Sequence, residues 1–137
     1  MLEKIKQKGR VTMKITAFNP AILTTKPDEA LALFEALGFS KRHQNVDIQD
    51  EPIKDNYRLK DENGFYIDIN HFAHLPQDVT LIRMNVDDFD EGYELLKRHG
   101  FQNAMGEGKF IETPFLKGAH MVSPSGFAIM LMKHIKR

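Results

Sequence analysis

Shifted by 62 residues, this sequence falls on itself. Thr25-Lys26-Pro27-Asp28-Glu29 opens an apolar stretch that ends at Gly38-Phe39, and Asp87-Asp88-Phe89-Asp90-Glu91 opens another that ends at Gly100-Phe101. The same shift lays Leu33 on Leu95, Pro52 on Pro114, Gly64-Phe65 on Gly126-Phe127 and Ile67 on Ile129. Matches in this order, without a gap, read as two copies of one structural unit.

Each copy has consistent local physics. Ala30, Leu33, Phe34 and Leu37 recur at i, i+3, i+4, i+7, which predicts a helix with one apolar face. Thr25 with Asp28, and Asp87 with Asp90, have the spacing of an N-cap and its N3 carboxylate, so these acidic residues read as caps rather than catalysts. Gly38 and Gly100 suit the left-handed residue that ends a helix. Phe65-Tyr66-Ile67-Asp68-Ile69-Asn70 and Leu81-Ile82-Arg83-Met84-Asn85-Val86 alternate with period two, predicting strands with one face on a core. Phe127 to Met132 is apolar throughout and predicts a strand buried on both faces. Asn63-Gly64 and Ser125-Gly126 mark turns between neighbouring strands. The pattern predicts an α+β fold of two βαβββ modules, helices on one sheet face and a polar face opposite.

Composition removes several classes. The 137 residues carry 19 Lys plus Arg against 19 Asp plus Glu, and a balanced chain lacks the basic footprint that nucleic acid requires. Without cysteine there is no disulfide framework, thiolate zinc site or cysteine nucleophile, which fits a cytoplasmic protein. No apolar run approaches the roughly 18 residues of a membrane span. Residues 1–16 read as a basic extension, with Lys4, Lys6, Lys8, Arg10 and Lys14 against Glu3. It is either an arm for an anionic partner or a solvated terminus, and it lacks the apolar run of about 7–15 residues that a secretory signal needs.

Several short motifs then point to one superfamily. They are Ala21-Ile22-Leu23-Thr24-Thr25, the helix end Leu37-Gly38-Phe39, Asn85-Val86-Asp87-Asp88-Phe89-Asp90, Tyr93 to Phe101, and Ser123-Pro124-Ser125-Gly126-Phe127. In order, spacing and duplication the chain resembles the vicinal oxygen chelate superfamily, also called the glyoxalase/bleomycin resistance/dioxygenase superfamily. The resemblance implies a single domain over residues 17–137, with modules of about 17–75 and 76–137. It also implies a curved mixed sheet around a central ligand cleft, helices outside, and a homodimer. In metal-dependent members four ligands come from the first and last strands of the two modules. The matching positions here are Asn19, Asp68, Leu81 and Met130. Leucine and methionine are not the oxygen or imidazole ligands that a catalytic divalent cation requires. The expectation is therefore no metal and no cofactor, with metal-dependent glyoxalase or dioxygenase activity disfavoured.

Strand parity supplies the candidate residues. With Ile67, Ile69, Ile82, Met84, Ile129 and Leu131 toward the helices, and Tyr57, Leu59, Ala119 and Met121 with them, the opposite face takes Arg58, Lys60, Tyr66, Asp68, Asn70, Arg83, Asn85, His120, Ala128, Met130 and Met132. Thioethers, one aromatic ring and a few polar groups suit a mostly apolar small molecule oriented by polar contacts. Arg83 either pairs with Asp68 or offers its planar fork to a ligand anion. His71 and His74 are three apart, and on a strand they face opposite ways, so they do not form a metal pair. No phosphate loop, nucleophile elbow or zinc-protease motif occurs. The leading expectation is a metal-free binder of an amphipathic or anionic small molecule. One alternative is a metal-independent lyase or isomerase with Asp68 or His120 as acid or base, and another is a non-catalytic dimeric interaction module.

Overall fold

The computed structural model describes residues 12–46 and 53–135. Pro52, most of the basic extension and the side chain of His43 lie outside them. The described chain forms two compact units, Phe18–Arg83 and residues 12–17 with 84–135. Both are built from strands and a helix, giving an α+β protein with a mixed sheet.

In the first unit β1 (Ile15–Thr24, from Phe18 onward) leads to α1 (Pro27–Ala36), then β2 (Ser40–Val46), β3 (Ile53–Lys60) and β4 (Tyr66–Phe72). The strand order is β2-β3-β4-β1, with β1 parallel to β4 and the other pairs antiparallel. Leu31, Tyr57, Leu59, Ile67 and Ile69 form the core beneath α1, joined by Ile22, Ala30, Phe34 and Phe39. Strand parity therefore holds for Tyr57, Leu59, Ile67 and Ile69.

Two local expectations for α1 fail. The N-cap is Lys26, not Thr25, and it makes no side-chain cap bond, because an ammonium has no acceptor to offer the first-turn amides. The docked face is Ala30-Leu31-Phe34, so Leu33 and Leu37, on the other flank, are 55% and 62% exposed.

The second unit runs from the end of β5 (Val79–Val86) through α2 (Phe89–Arg98), β6 (Gln102–Asn103), β7 (Ile111–Thr113), β8 (Leu116–Val122) and β9 (Ala128–His134). Strand β9 lies between β5 and β8, β8 pairs with β6, and the short β7 also pairs with β8. Shifted by 62, α1 coincides with α2 and β4 with β9, residue for residue. Met84, Val86, Phe89, Tyr93, Leu96, Ala119, Met121 and Leu131 make the core, with Ile129 against it. Phe127 departs from the expected buried strand. It precedes β9, is exposed, and meets Phe101 edge to face at 5.5 Å.

Helix α2 is capped by Asp88, one residue later than expected, whose carboxylate accepts from the Glu91 amide at 3.1 Å. It ends with Gly100 at φ +88°, where a Cβ would sit 2.7 Å from Pro124 Cγ, so glycine is required on both counts. Residues 12–14 belong to this unit through α2. Glu91 accepts from the Thr12 and Met13 amides, each at 2.8 Å, and Asp87 accepts from the Lys14 amide at 2.7 Å. The Thr12 amide, first among these contacts, holds the Glu91 carboxyl below its ordinary pKa. Among the described residues no helix is long and apolar enough to cross a membrane.

Candidate functional site

The sheet face away from α1 is built from three cross-strand pairs of β3 and β4: Lys60 opposite Tyr66, Arg58 opposite Asp68, and Asn56 opposite Asn70. On the parallel side Ala21 pairs with Asp68 and Leu23 with Asn70, which brings Asn19 to the same face. Alternation puts all of these on one side because successive residues of a strand point oppositely.

Asp68 is the centre, 1% exposed. Its Oδ2 accepts from Arg83 Nη1 at 2.6 Å and from Asn19 Nδ2 at 3.2 Å, and its Oδ1 accepts from Arg58 Nη1 at 3.3 Å. A carboxylate removed from water must be compensated in this way, since an unpaired buried charge is costly. Both oxygens are thereby engaged, which leaves Asp68 poorly placed as a proton acceptor for a substrate. Arg58 also lies over the Tyr66 ring at 4.1 Å, and the Lys60 ammonium approaches the same ring at 5.3 Å. Two guanidinium groups thus share one buried carboxylate, with the Lys60 ammonium at the ring beside them.

The same face holds buried acceptors with no donor. Asn19 Oδ1, Asn56 Oδ1 and Asn70 Oδ1 lack a hydrogen-bond partner among the described residues. Asn19 is oriented by its own Nδ2, which donates to Pro20 O at 2.9 Å as well as to Asp68. Asn56 was not among the sequence candidates, although it shares the parity of Arg58 and Lys60; that parity was the available signal.

The other sequence candidates lie in the second unit. His120 stands opposite Met130, Gly118 opposite Met132, and Val122 opposite Ala128. Burial pushes the His120 imidazole below its ordinary pKa, and its ring makes no hydrogen bond among the described residues. Asn85 is buried there as well. His71 turns to the helix side of the first unit, its Nδ1 3.5 Å from Asp55 Oδ2. That distance attracts a protonated ring but lacks hydrogen-bond alignment, leaving Nδ1 without a partner. His74 is exposed in the following turn.

No protein-family model and no curated protein matches the sequence. Solved structures do. A protein from Staphylococcus aureus superposes with a TM-score of 0.62 at 13% identity, covering 88% of this chain and 97% of its own. A glyoxalase/bleomycin resistance protein/dioxygenase superfamily member from Vibrio splendidus 12B01 gives 0.58 at 12% identity, covering 88% and 99%. A glyoxalase I mutant from Zea mays gives 0.60 at 12% identity, with 90% of this chain spanning 44% of that one.

The chain has the vicinal oxygen chelate fold.

The metal that this fold often carries does not suit the residues present. Of the four matching positions, Asn19 and Asp68 are tied to each other and Asp68 to two guanidinium groups. Leu81 is a hydrocarbon 3% exposed, and Met130 is a thioether of the second unit. Among the described residues no three His, Cys, Asp or Glu side chains converge. Asp68 therefore faces guanidinium groups through both of its oxygens.

Proposed function

We propose that the protein binds a small organic anion on the first unit's polar face, without a metal. The carrying observation is the ratio of charges: Arg58 and Arg83 both contact the single carboxylate of Asp68, and the Lys60 ammonium lies over the same Tyr66 ring as Arg58. Arg83 is committed to Asp68 at 2.6 Å and is the structural partner. Arg58 contacts Asp68 through one nitrogen of a guanidinium with five N–H donors, and its side chain keeps 20% of its surface exposed. Lying 4.1 Å over the Tyr66 ring, it presents a planar fork to a carboxylate or phosphate, with the Lys60 ammonium over the same ring as a second charge. The exposed part of the Tyr66 ring supplies apolar contact, which favours an amphipathic ligand.

The test is thermal stabilisation by a panel of carboxylates and phosphate esters matched by neutral amides and alcohols. Anions raise Tm in the unmodified protein and not in Arg58→Met. Equal shifts in both proteins, or stabilisation by the neutral compounds alone, would overturn this reading.

One observation favours a second reading. The unbonded, half-buried His120 ring, held neutral by burial, has the makings of a general base for a metal-independent lyase or isomerase. Loss of turnover in His120→Gln with retained anion binding would establish that role; turnover unaffected by the substitution would remove it.

A further inference from the structure

The anion reading leaves three buried acceptors unexplained, and they carry the argument further. A buried carbonyl oxygen without a donor costs free energy, so native proteins rarely leave several together. Here Asn56 Oδ1 and Asn70 Oδ1 belong to directly opposite residues, one same-face step beyond the Arg58–Asp68 pair, and Asn19 Oδ1 lies beside Asp68. Asn19 is 4% exposed, and its amide nitrogen is already spent on Asp68 and Pro20. Leu23, which pairs with Asn70 on β1, is buried and has nothing to donate from its side chain.

We infer that the ligand bears a hydrogen-bond donor, a hydroxyl, amine or amide N–H, about one same-face strand step from its anionic group. Two residues along a strand separate the Arg58 and Asn56 positions, about 7 Å. The inference rests on the anion reading above and adds its complement. Cationic and donor-seeking groups share one sheet face, so the matching molecule is an amino acid or hydroxy acid with its two groups apart, not a plain fatty acid and not a dianion. Sites built to receive an N–H or O–H discriminate strongly against analogues without one, because the receiving group is then left unpaired.

Three probes of one length decide it: hexanoate, 6-hydroxyhexanoate and 6-aminohexanoate, titrated calorimetrically into the unmodified protein. The two donor-bearing acids bind at least about tenfold more tightly than hexanoate, a difference of about 1.4 kcal/mol. In Asn70→Leu, and separately in Asn56→Leu should the first fail to fold, that ratio falls to about one; circular dichroism certifies the fold. If hexanoate binds as tightly as its donor-bearing analogues, the acceptors are satisfied otherwise and the inference is overturned while the anion reading stands. If none of the three binds while the fold is intact, the anion reading fails and takes the inference with it.

Discussion

Asp68 and Met130 occupy the same place in their two units, one 62 residues after the other. Their strand partners correspond as well: Asn56, Arg58 and Lys60 oppose Asn70, Asp68 and Tyr66, while Gly118, His120 and Val122 oppose Met132, Met130 and Ala128. One register thus carries two chemistries. The first face is held by charge around one buried carboxylate, whereas the second is held largely by apolar volume with one half-buried imidazole. The lesson is that the backbone pattern sets which residues meet, and side-chain chemistry alone sets what the meeting does.

The sharpest way to break this contrast is to remove its charged centre. Asp68→Ala removes the carboxylate 2.6 Å from Arg83, whose side chain is 11% exposed, and deprives Arg58 of its anchor. The expected loss is about 3–5 kcal/mol in urea unfolding, since removing one partner of a buried pair leaves an uncompensated charge. The double variant Asp68→Leu, Arg83→Met recovers most of that loss, because the whole pair is replaced by apolar volume. At the corresponding position the volume-conserving substitution Met130→Leu costs under about 1.5 kcal/mol. Equal, small losses at both places would mean that Asp68 is solvated and that the two faces do not differ in kind.

The helix-facing sides should instead behave alike. Leu59 and Met121 correspond under the same shift, and both are fully buried. Leu59→Ala and Met121→Ala are each expected to cost about 2–5 kcal/mol, with the spread set by how far each cavity relaxes. A loss confined to one of them would show that the two cores differ as much as the two faces do.

The sequence made the helix-facing sides legible because burial and period two act over a whole strand: Tyr57, Leu59, Ile67, Ile69, Ala119, Met121 and Leu131 lie where parity put them. Helix details were less legible. The contact line of α1 is a matter of tens of degrees about its axis, which docking decides through Leu31 rather than Leu33. The Arg83–Asp68 pair was one of two open readings, and only the distance chooses. Asn56 carried no signal beyond its parity, and its open acceptor becomes visible only when Asn70 stands opposite it.

The helix starts offer a smaller contrast. Lys26 and Asp88 correspond, and only Asp88 caps its helix with its side chain. Asp88→Ala should cost about 1 kcal/mol, the usual worth of a cap. Lys26→Asp should stabilise α1 by up to a similar amount, both by offering an acceptor and by removing a cation from the positive helix end. Urea midpoints that move in opposite directions for the two variants would support the contrast. A loss in Lys26→Asp would show that the Lys26 backbone, at φ −125° and ψ 67° rather than the extended conformation of Asp88, does not bring an aspartate into reach.

His120 and Arg58 also correspond, and they separate by titration. Arg58 carries a guanidinium, whereas burial lowers the His120 pKa below its ordinary 6.5. Below that value the unfolded chain binds the proton more readily than the folded one. Stability associated with His120 is therefore intact above pH 6.5 and declines as pH falls from there toward the folded value. Melting curves between pH 7.5 and pH 5, on the order of the ordinary histidine range, should show a shallower decline in His120→Met than in the unmodified protein. An unaltered slope would mean that the imidazole is solvated in the folded state. The general-base reading, which depends on a ring kept neutral by burial, would then lose its footing, while the anion site around Arg58 would stand untouched.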